Sequence, residues 1–185
     1  ESIPPTRQQI VSSRSFGADL KDFDELNQAL TSLARKAINK LNDHKLATTT
    51  ITVFIYTNPH KKNKPCIHLS KTVGMTMAIQ DESQIIPLIS KILKIIYKPG
   101  YSFYKGGIVL SNLVKNYPQQ DLFLTNKDNQ SKIGSTNKSN AIRSVNKRFN
   151  ESLKYASEVG NDKWKPRADF RSNRYTTSWT ELLVI

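Results

Sequence analysis

The sequence predicts an α+β domain, a four-stranded antiparallel sheet with two helices on one face, followed by a partly flexible C-terminal module. Three observations lead there. Four segments read as strands and two as amphipathic helices, in the order β-α-β-β-α-β. Each helix carries a single apolar stripe, which a sheet must cover. Apolar segments concentrate before about residue 116, and the remainder is polar.

The first strand is expected over Gln8 to Phe16. Ile10 alternates with Ser12, Arg14 and Phe16, Val11 lies on the other face, and Gly17 should end it. Asp22 or Asp24 can cap a helix running to about Asn42. Leu26, Leu30, Leu33, Ala37 and Leu41 share one face, with Arg35, Lys36 and Lys40 largely outside it. Thr48 to Thr57 is almost wholly β-branched or aromatic; Ile51, Val53 and Ile55 point one way, and Thr50, Thr52, Phe54 and Tyr56 the other. Asn58-Pro59 ends it and opens a basic loop with His60, Lys61, Lys62 and Lys64.

A third strand is expected over Thr72 to Ile79, with Val73, Met75, Met77 and Ile79 on one face. Asp81 and Gln84 have the spacing of a capping box. The helix behind them presents Ile85, Ile89, Ile92, Leu93 and Ile96 and tolerates Pro87 in its first turns. Lys98-Pro99-Gly100 stops it. Tyr104 to Leu113 is the last strand, interrupted by Gly106-Gly107. Further on, Asn140 to Val159 has a stripe of Ala141, Val145, Phe149 and Leu153 and is expected to be helical.

Composition narrows the function. Among 185 residues, 28 Lys and Arg face 15 Asp and Glu, a net charge of +13 that favours a polyanionic partner, most simply a nucleic acid. One Cys excludes an intrachain disulfide and a thiolate zinc site, and fits a reducing compartment. No apolar run has the length of a membrane span. The start lacks both a signal-peptide pattern and an initiator Met, which suggests a processed or excised piece.

Catalytic constellations are weak. Asp19, Asp22, Asp24 and Glu25 sit at a helix start, where capping accounts for them. No pair of carboxylates has the spacing for two metal ions. His60, Cys66 and His68 adjoin a lysine-rich loop that repels a cation. Lys105-Gly106-Gly107 is not a phosphate-cradling pattern. The expectation is a non-catalytic chain without metal or cofactor.

The basic residues are more informative. Arg14, among Ser12, Ser13 and Ser15, suits phosphate oxygens; Lys71 and Lys105 are expected to flank the same face, and Lys61, Lys62 and Lys64 to extend it. The competing reading is a solvated lysine surface. Gln119-Gln120-Asp121-Leu122-Phe123 places a Gln and two apolar anchors, Leu122 and Phe123, in a polar linker, as a peptide docking on another protein would. The alternative is a linker folding back on its own domain. Trp164, Tyr175 and Trp179 are large surfaces for a short region to bury and are candidates for partner binding.

Several segments resemble UmuC-type translesion DNA polymerases of the Y family. Arg7-Gln8-Gln9-Ile10 with Ser13-Arg14-Ser15-Phe16-Gly17 resembles the start of the little-finger domain. Tyr101 to Val109, with Tyr104-Lys105-Gly106-Gly107-Ile108, resembles its closing strand. Arg174-Tyr175-Thr176-Thr177 and Trp179-Thr180-Glu181-Leu182 resemble the tail of these proteins. The resemblance implies a β-α-β-β-α-β clamp on primer–template DNA, in SOS DNA-damage tolerance.

It further implies a sliding-clamp-binding motif at Gln119, Leu122 and Phe123, with Gln120 in place of the more usual Leu. A UmuD′-like subunit and RecA are the other implied partners, and the compartment is the bacterial cytoplasm, at the nucleoid. The polymerase core, with its metal-binding carboxylates and Mg2+, would lie in a longer parent enzyme. On this reading residues 1–6 end a tether, 7–115 form the little finger, 116–138 the linker and 139–185 the C-terminal region. Two other readings stay open, a protein-docking module for UmuD′ or RecA and a stand-alone basic RNA-binding protein.

Overall fold

The computed structural model describes residues 7–61, 65–115, 138–139, 141–146, 148–149, 152–160, 162–166 and 172–173. In chain order the elements are β1 (Gln9–Leu20), α1 (Phe23–Asp43), β2 (Leu46–Thr57), β3 (His68–Ile79), α2 (Glu82–Ile96) and β4 (Phe103–Lys115). Short 3-10 turns follow at Ala156–Glu158 and Asp162–Trp164. The four strands form one antiparallel sheet in the order β1-β4-β2-β3, as the sequence predicts for the fold class.

Both helices lie on one face. Leu26, Leu30, Leu33, Ala37 and Leu41 of α1, with Ile85, Ile89, Ile92, Leu93 and Ile96 of α2, pack onto Ile51, Val53, Ile55, Ile108 and Leu110. Asn27 of α1 accepts a hydrogen bond from the Ser90 hydroxyl of α2 at 2.7 Å, which ties the two helices together. Neither helix start uses its side-chain cap. Asp81 accepts at its backbone carbonyl from the N–H groups of Gln84 and Ile85, so the expected capping box is not formed.

The glycines differ from expectation. Gly17 does not end β1, which runs on to Leu20 through a register shift after Ser15. A Cβ on Gly17 would stand 2.0 Å from the Lys165 carbonyl oxygen, so this glycine admits a later segment of backbone across the strand. Gly106 and Gly107 do not interrupt β4 either. They are the places where Phe16 crosses one sheet face and Phe54 the other: a Cβ would meet Phe16 Cζ at 3.0 Å and Phe54 Cζ at 2.5 Å. The strands β2 and β3 also begin earlier than expected, at Leu46 and His68, because Lys115 and Tyr56 supply cross-strand partners there.

The C-terminal segment is the largest departure. Residues 141–146 are helical, but 152–155 are not. The Asn146 side chain accepts from the Leu153 N–H at 2.7 Å and donates to its carbonyl at 3.0 Å, replacing the helical pairing that the sequence leads one to expect. Phe149 and Leu153, expected on the apolar stripe of that helix, are exposed.

From there the chain lies along α1. Gln28 donates to the Glu158 carbonyl at 3.0 Å, and Arg35 donates to the Glu158 carboxylate at 2.9 Å and to the Leu153 carbonyl at 2.6 Å. Arg35 is therefore buried rather than outside the packed face, with its charge matched by a carboxylate 123 residues away. Lys163 pairs with Glu25 at 3.1 Å, and Trp164 enters the core.

Candidate nucleic-acid interface

Between the register shifts, the strand pairing sorts the residues of the sheet onto two faces, because directly opposite residues share a side. On the helix-covered face one row is Ile10, Leu110, Ile51 and Val73; the next is Ser12, Ile108, Val53 and Lys71; the third is Arg14, Gly106, Ile55 and Leu69. Over the same stretch, four rows lie on the uncovered face. They are Gln9, Ser111, Thr50 and Gly74; Val11, Val109, Thr52 and Thr72; Ser13, Gly107, Phe54 and Ser70; and Ser15, Lys105, Tyr56 and His68.

This geometry corrects one expectation. Arg14 and Lys71 do not share a face with Lys105. They stand on the two edge strands, on the helix side of the sheet, half-buried and exposed respectively. Lys105 alone of the three is on the open face, between Ser15 and Tyr56. Over these four rows the open face is thus a hydroxyl and aromatic surface with a single lysine and no carboxylate. Some hydroxyls are already paired: Thr52 and Thr72 bond to each other at 2.8 Å, and Asn112 donates to Thr50 at 2.9 Å.

Lys61 is at a corner of the sheet, where it forms an ion pair with Asp19 of β1. The two line a cleft of about 460 Å³ with Lys21, Thr57, Asn58 and Tyr101. Lys62, Lys64, Gln119, Leu122, Phe123, Tyr175 and Trp179 lie outside the described residues, as do residues 1–6 and nearly all of the linker. Trp164 is 4% exposed against the chain's own core, so its ring is not available as an exposed partner anchor in this arrangement.

The residues that sequence reasoning passed over are Phe54, Tyr56 and His68. The ring centroids of Phe54 and Tyr56 are 5.0 Å apart, and those of Tyr56 and His68 4.3 Å. The signal was present in β2 as two aromatics at alternate positions, opposite the Ile51, Val53 and Ile55 face. His68 Nε2 also lies 3.6 Å from the exposed Cys66 thiol. Among the described residues no group of three or more His, Cys, Asp or Glu side chains is placed to hold a metal ion. None of the described helices is long and apolar enough to cross a membrane.

The shifted ionisations belong to the other side of the molecule. Burial raises the Glu82 carboxyl above its usual range, although the Tyr155 hydroxyl and the Arg35 guanidinium pull the other way. Tyr155 is pushed up to about 12, first by burial and then by the Glu82 charge. Both sit where the C-terminal segment meets the helices, and neither faces the open sheet.

A family model described as "impB/mucB/samB family C-terminal domain" matches residues 7–122, and "Domain of unknown function (DUF4113)" matches residues 139–185. Protein UmuC of Salmonella typhimurium (strain LT2) is 30% identical over 100% of this chain and 44% of its own length. Protein MucB of Escherichia coli is 29% identical over 100% of this chain and 43% of its own length. The chain thus spans less than half the length of these relatives. Among solved structures, a Y-family DNA polymerase chimera of Dbh and Dpo4 superposes with a TM-score of 0.51 at 16% identity, covering 60% of this chain and 30% of that one, a likeness of fold. With the family model covering well over half of its residues, the chain belongs to the impB/mucB/samB family and carries that family's C-terminal domain.

Proposed function

We propose that this chain is the non-catalytic DNA-holding part of a Y-family translesion polymerase acting in SOS DNA-damage tolerance, and that its open sheet face lies against primer–template DNA. The observation that carries the reading is the composition of that face. Four cross-strand rows present Ser, Thr and backbone with Lys105, and no carboxylate repels a phosphate. Hydroxyls, amides and one cation hold a backbone in register without reading bases. The parent polymerase would supply the metal-binding carboxylates and Mg2+. The proposed setting is the bacterial cytoplasm, at the nucleoid.

Duplex affinity measured by fluorescence anisotropy at several salt concentrations tests the interface. Lys105→Ala should weaken binding and flatten the log–log salt dependence by about 0.9, the release of one condensed counterion. Arg14→Ala and Lys71→Ala, on the helix side, should do less. An unchanged slope in Lys105→Ala would remove the open face from the reading.

Residues 116–138 are proposed as a linker between the little finger (7–115) and the C-terminal region (139–185), with residues 1–6 as the end of a tether. Gln119, Leu122 and Phe123 are proposed to dock on the bacterial sliding clamp. Burying Leu122 and Phe123 supplies roughly 1.5–3 kcal/mol each before ordering costs. An affinity near the micromolar range, about −8 kcal/mol, is expected. Tethering on shared DNA makes that sufficient. Replacing both residues by Ala should abolish clamp binding and leave DNA affinity and melting temperature unaltered; retained clamp binding would eliminate the motif. A UmuD′-like subunit and RecA are the further proposed partners, through Tyr175 and Trp179. Trp164 has a smaller claim to that role because it is packed inward.

A further inference from the structure

A backbone-holding surface needs hydroxyls and cations; it has no need of aromatic rings. The open face nonetheless carries three rings in a contiguous stack, Phe54, Tyr56 and His68, at its centre and along one end. The chain is built to let the first of them lie down. Phe54 faces Gly107 across β4, and its Cζ stands 2.5 Å from where a Cβ on Gly107 would be; Ser13 on β1 is as close on the far side. The ring therefore spreads over a gap left by the missing side chain instead of standing up from the sheet. The helices occupy the opposite face, and among the described residues of the C-terminal segment Trp164 packs into the core and Lys165 lies against Gly17 of β1, away from these rings. Phe54 and Tyr56 are half-buried, and His68 is exposed.

We infer that Phe54, Tyr56 and His68 form a stacking platform for an unpaired base, so that this face engages single-stranded DNA as well as the duplex backbone. Three physical points support it. First, the rings are tilted on one another by 30° and 38° and end in the exposed His68, and an aromatic stack of this kind can be extended by the π-face of any base, independent of sequence. Second, the surface is nearly neutral. Lys105 is the only Lys or Arg in the four rows, so phosphate attraction alone gives this face little grip. Third, Lys105 lies in the same row as Tyr56 and His68, where it meets the phosphate of a nucleotide whose base rests on those rings. The hydroxyls of Ser13, Ser15 and Ser70 surround the stack and offer donors to the sugar–phosphate edge. A purely structural role, cross-strand aromatic packing, accounts for the ring contacts. It does not account for placing all three on the side away from the core.

The inference rests on the reading that the open face is the DNA side, and the experiment separates the two. The full chain is titrated with a single-stranded oligothymidine and with a blunt duplex of equal length, at several salt concentrations. Phe54→Leu and Tyr56→Leu keep much of the apolar area and remove the π-face. Each should lower single-strand affinity about tenfold, leave its salt slope unchanged, and alter duplex affinity by less than about twofold. Lys105→Ala should lower the salt slope for both ligands.

Equal losses on both ligands in the Leu variants, or no loss on either, would overturn the platform while the Lys105 result still supports the face. No effect of any of the three would overturn the face itself. A second readout covers a variant that is misfolded. Photo-crosslinking of the unsubstituted chain to an oligonucleotide carrying 5-iodouracil should place adducts on Phe54, Tyr56 or His68, and adducts exclusively elsewhere would overturn the proposal.

Discussion

Arg35→Met should destabilise the chain by about 3–5 kcal/mol, read from urea denaturation. The guanidinium is buried where the C-terminal segment crosses α1, and it is the cation for the Glu158 carboxylate at 2.9 Å. It also donates to the Leu153 carbonyl. Removing one member of a buried pair leaves the other charge desolvated and unmatched, which is where the large cost comes from. Glu82 adds to it, since its buried carboxyl also depends on Arg35 for favourable charge.

The size of the effect separates this pair from the exposed ones. Lys163 with Glu25 involves a lysine 62% exposed and is worth under about 1 kcal/mol. A double variant, Arg35→Met with Glu158→Leu, should recover much of the loss, because replacing both charges removes the unmatched one. Hydrogen exchange should show residues 152–160 protected in the unsubstituted chain and open in Arg35→Met. A loss below about 0.5 kcal/mol with unchanged exchange would mean that the segment does not sit on α1 in solution.

The reach of the sequence follows from how local each signal is. The two faces of β2 and the stripes of α1 and α2 are set by neighbours two to four residues apart, and they are as expected. Glycine is ambiguous because its meaning depends on what approaches it. Gly17 and Gly107 read as breaks until Lys165 and Phe54 are seen lying across them. Arg14 shows a conflict within one strand. The alternation that buries Ile10 and Phe16 also puts Arg14 on the helix side, whereas the serines around it suggest a phosphate surface. Only the register with β4 decides between them. Arg35 was beyond reach for another reason. Gln28, Thr31 and Arg35 form a second, polar stripe on α1, and apolar periodicity does not report a polar face that a segment more than 100 residues later will cover.

Trp164 tests whether that covering segment is part of the domain or a module awaiting a partner. If it belongs to the fold, Trp164→Ala should cost about 3–5 kcal/mol, the usual loss for a large buried ring. Its contribution carries a penalty, because the indole N–H is buried with no hydrogen-bond partner among the described residues. An orphaned donor costs about 1–3 kcal/mol. Trp164→Phe removes that donor and keeps a ring, so it should lie within about 1 kcal/mol of the unsubstituted chain despite the lost volume. Paired measurements therefore carry a signature that a surface tryptophan lacks, a large loss with Ala and a small one with Phe. In a Trp179→Phe background, emission from Trp164 should be blue-shifted in the folded chain and shift red on unfolding. Red-shifted emission in the folded state, with Trp164→Ala within about 0.5 kcal/mol of its parent, would return Trp164 to the set of exposed partner anchors with Tyr175 and Trp179. The expected pattern instead makes residues 152–160 and 162–166 a strap whose release must break the Arg35–Glu158 pair and withdraw a ring from the core together. A partner that recruits this region is then expected to bind around the strap, because extracting it would require both losses at once.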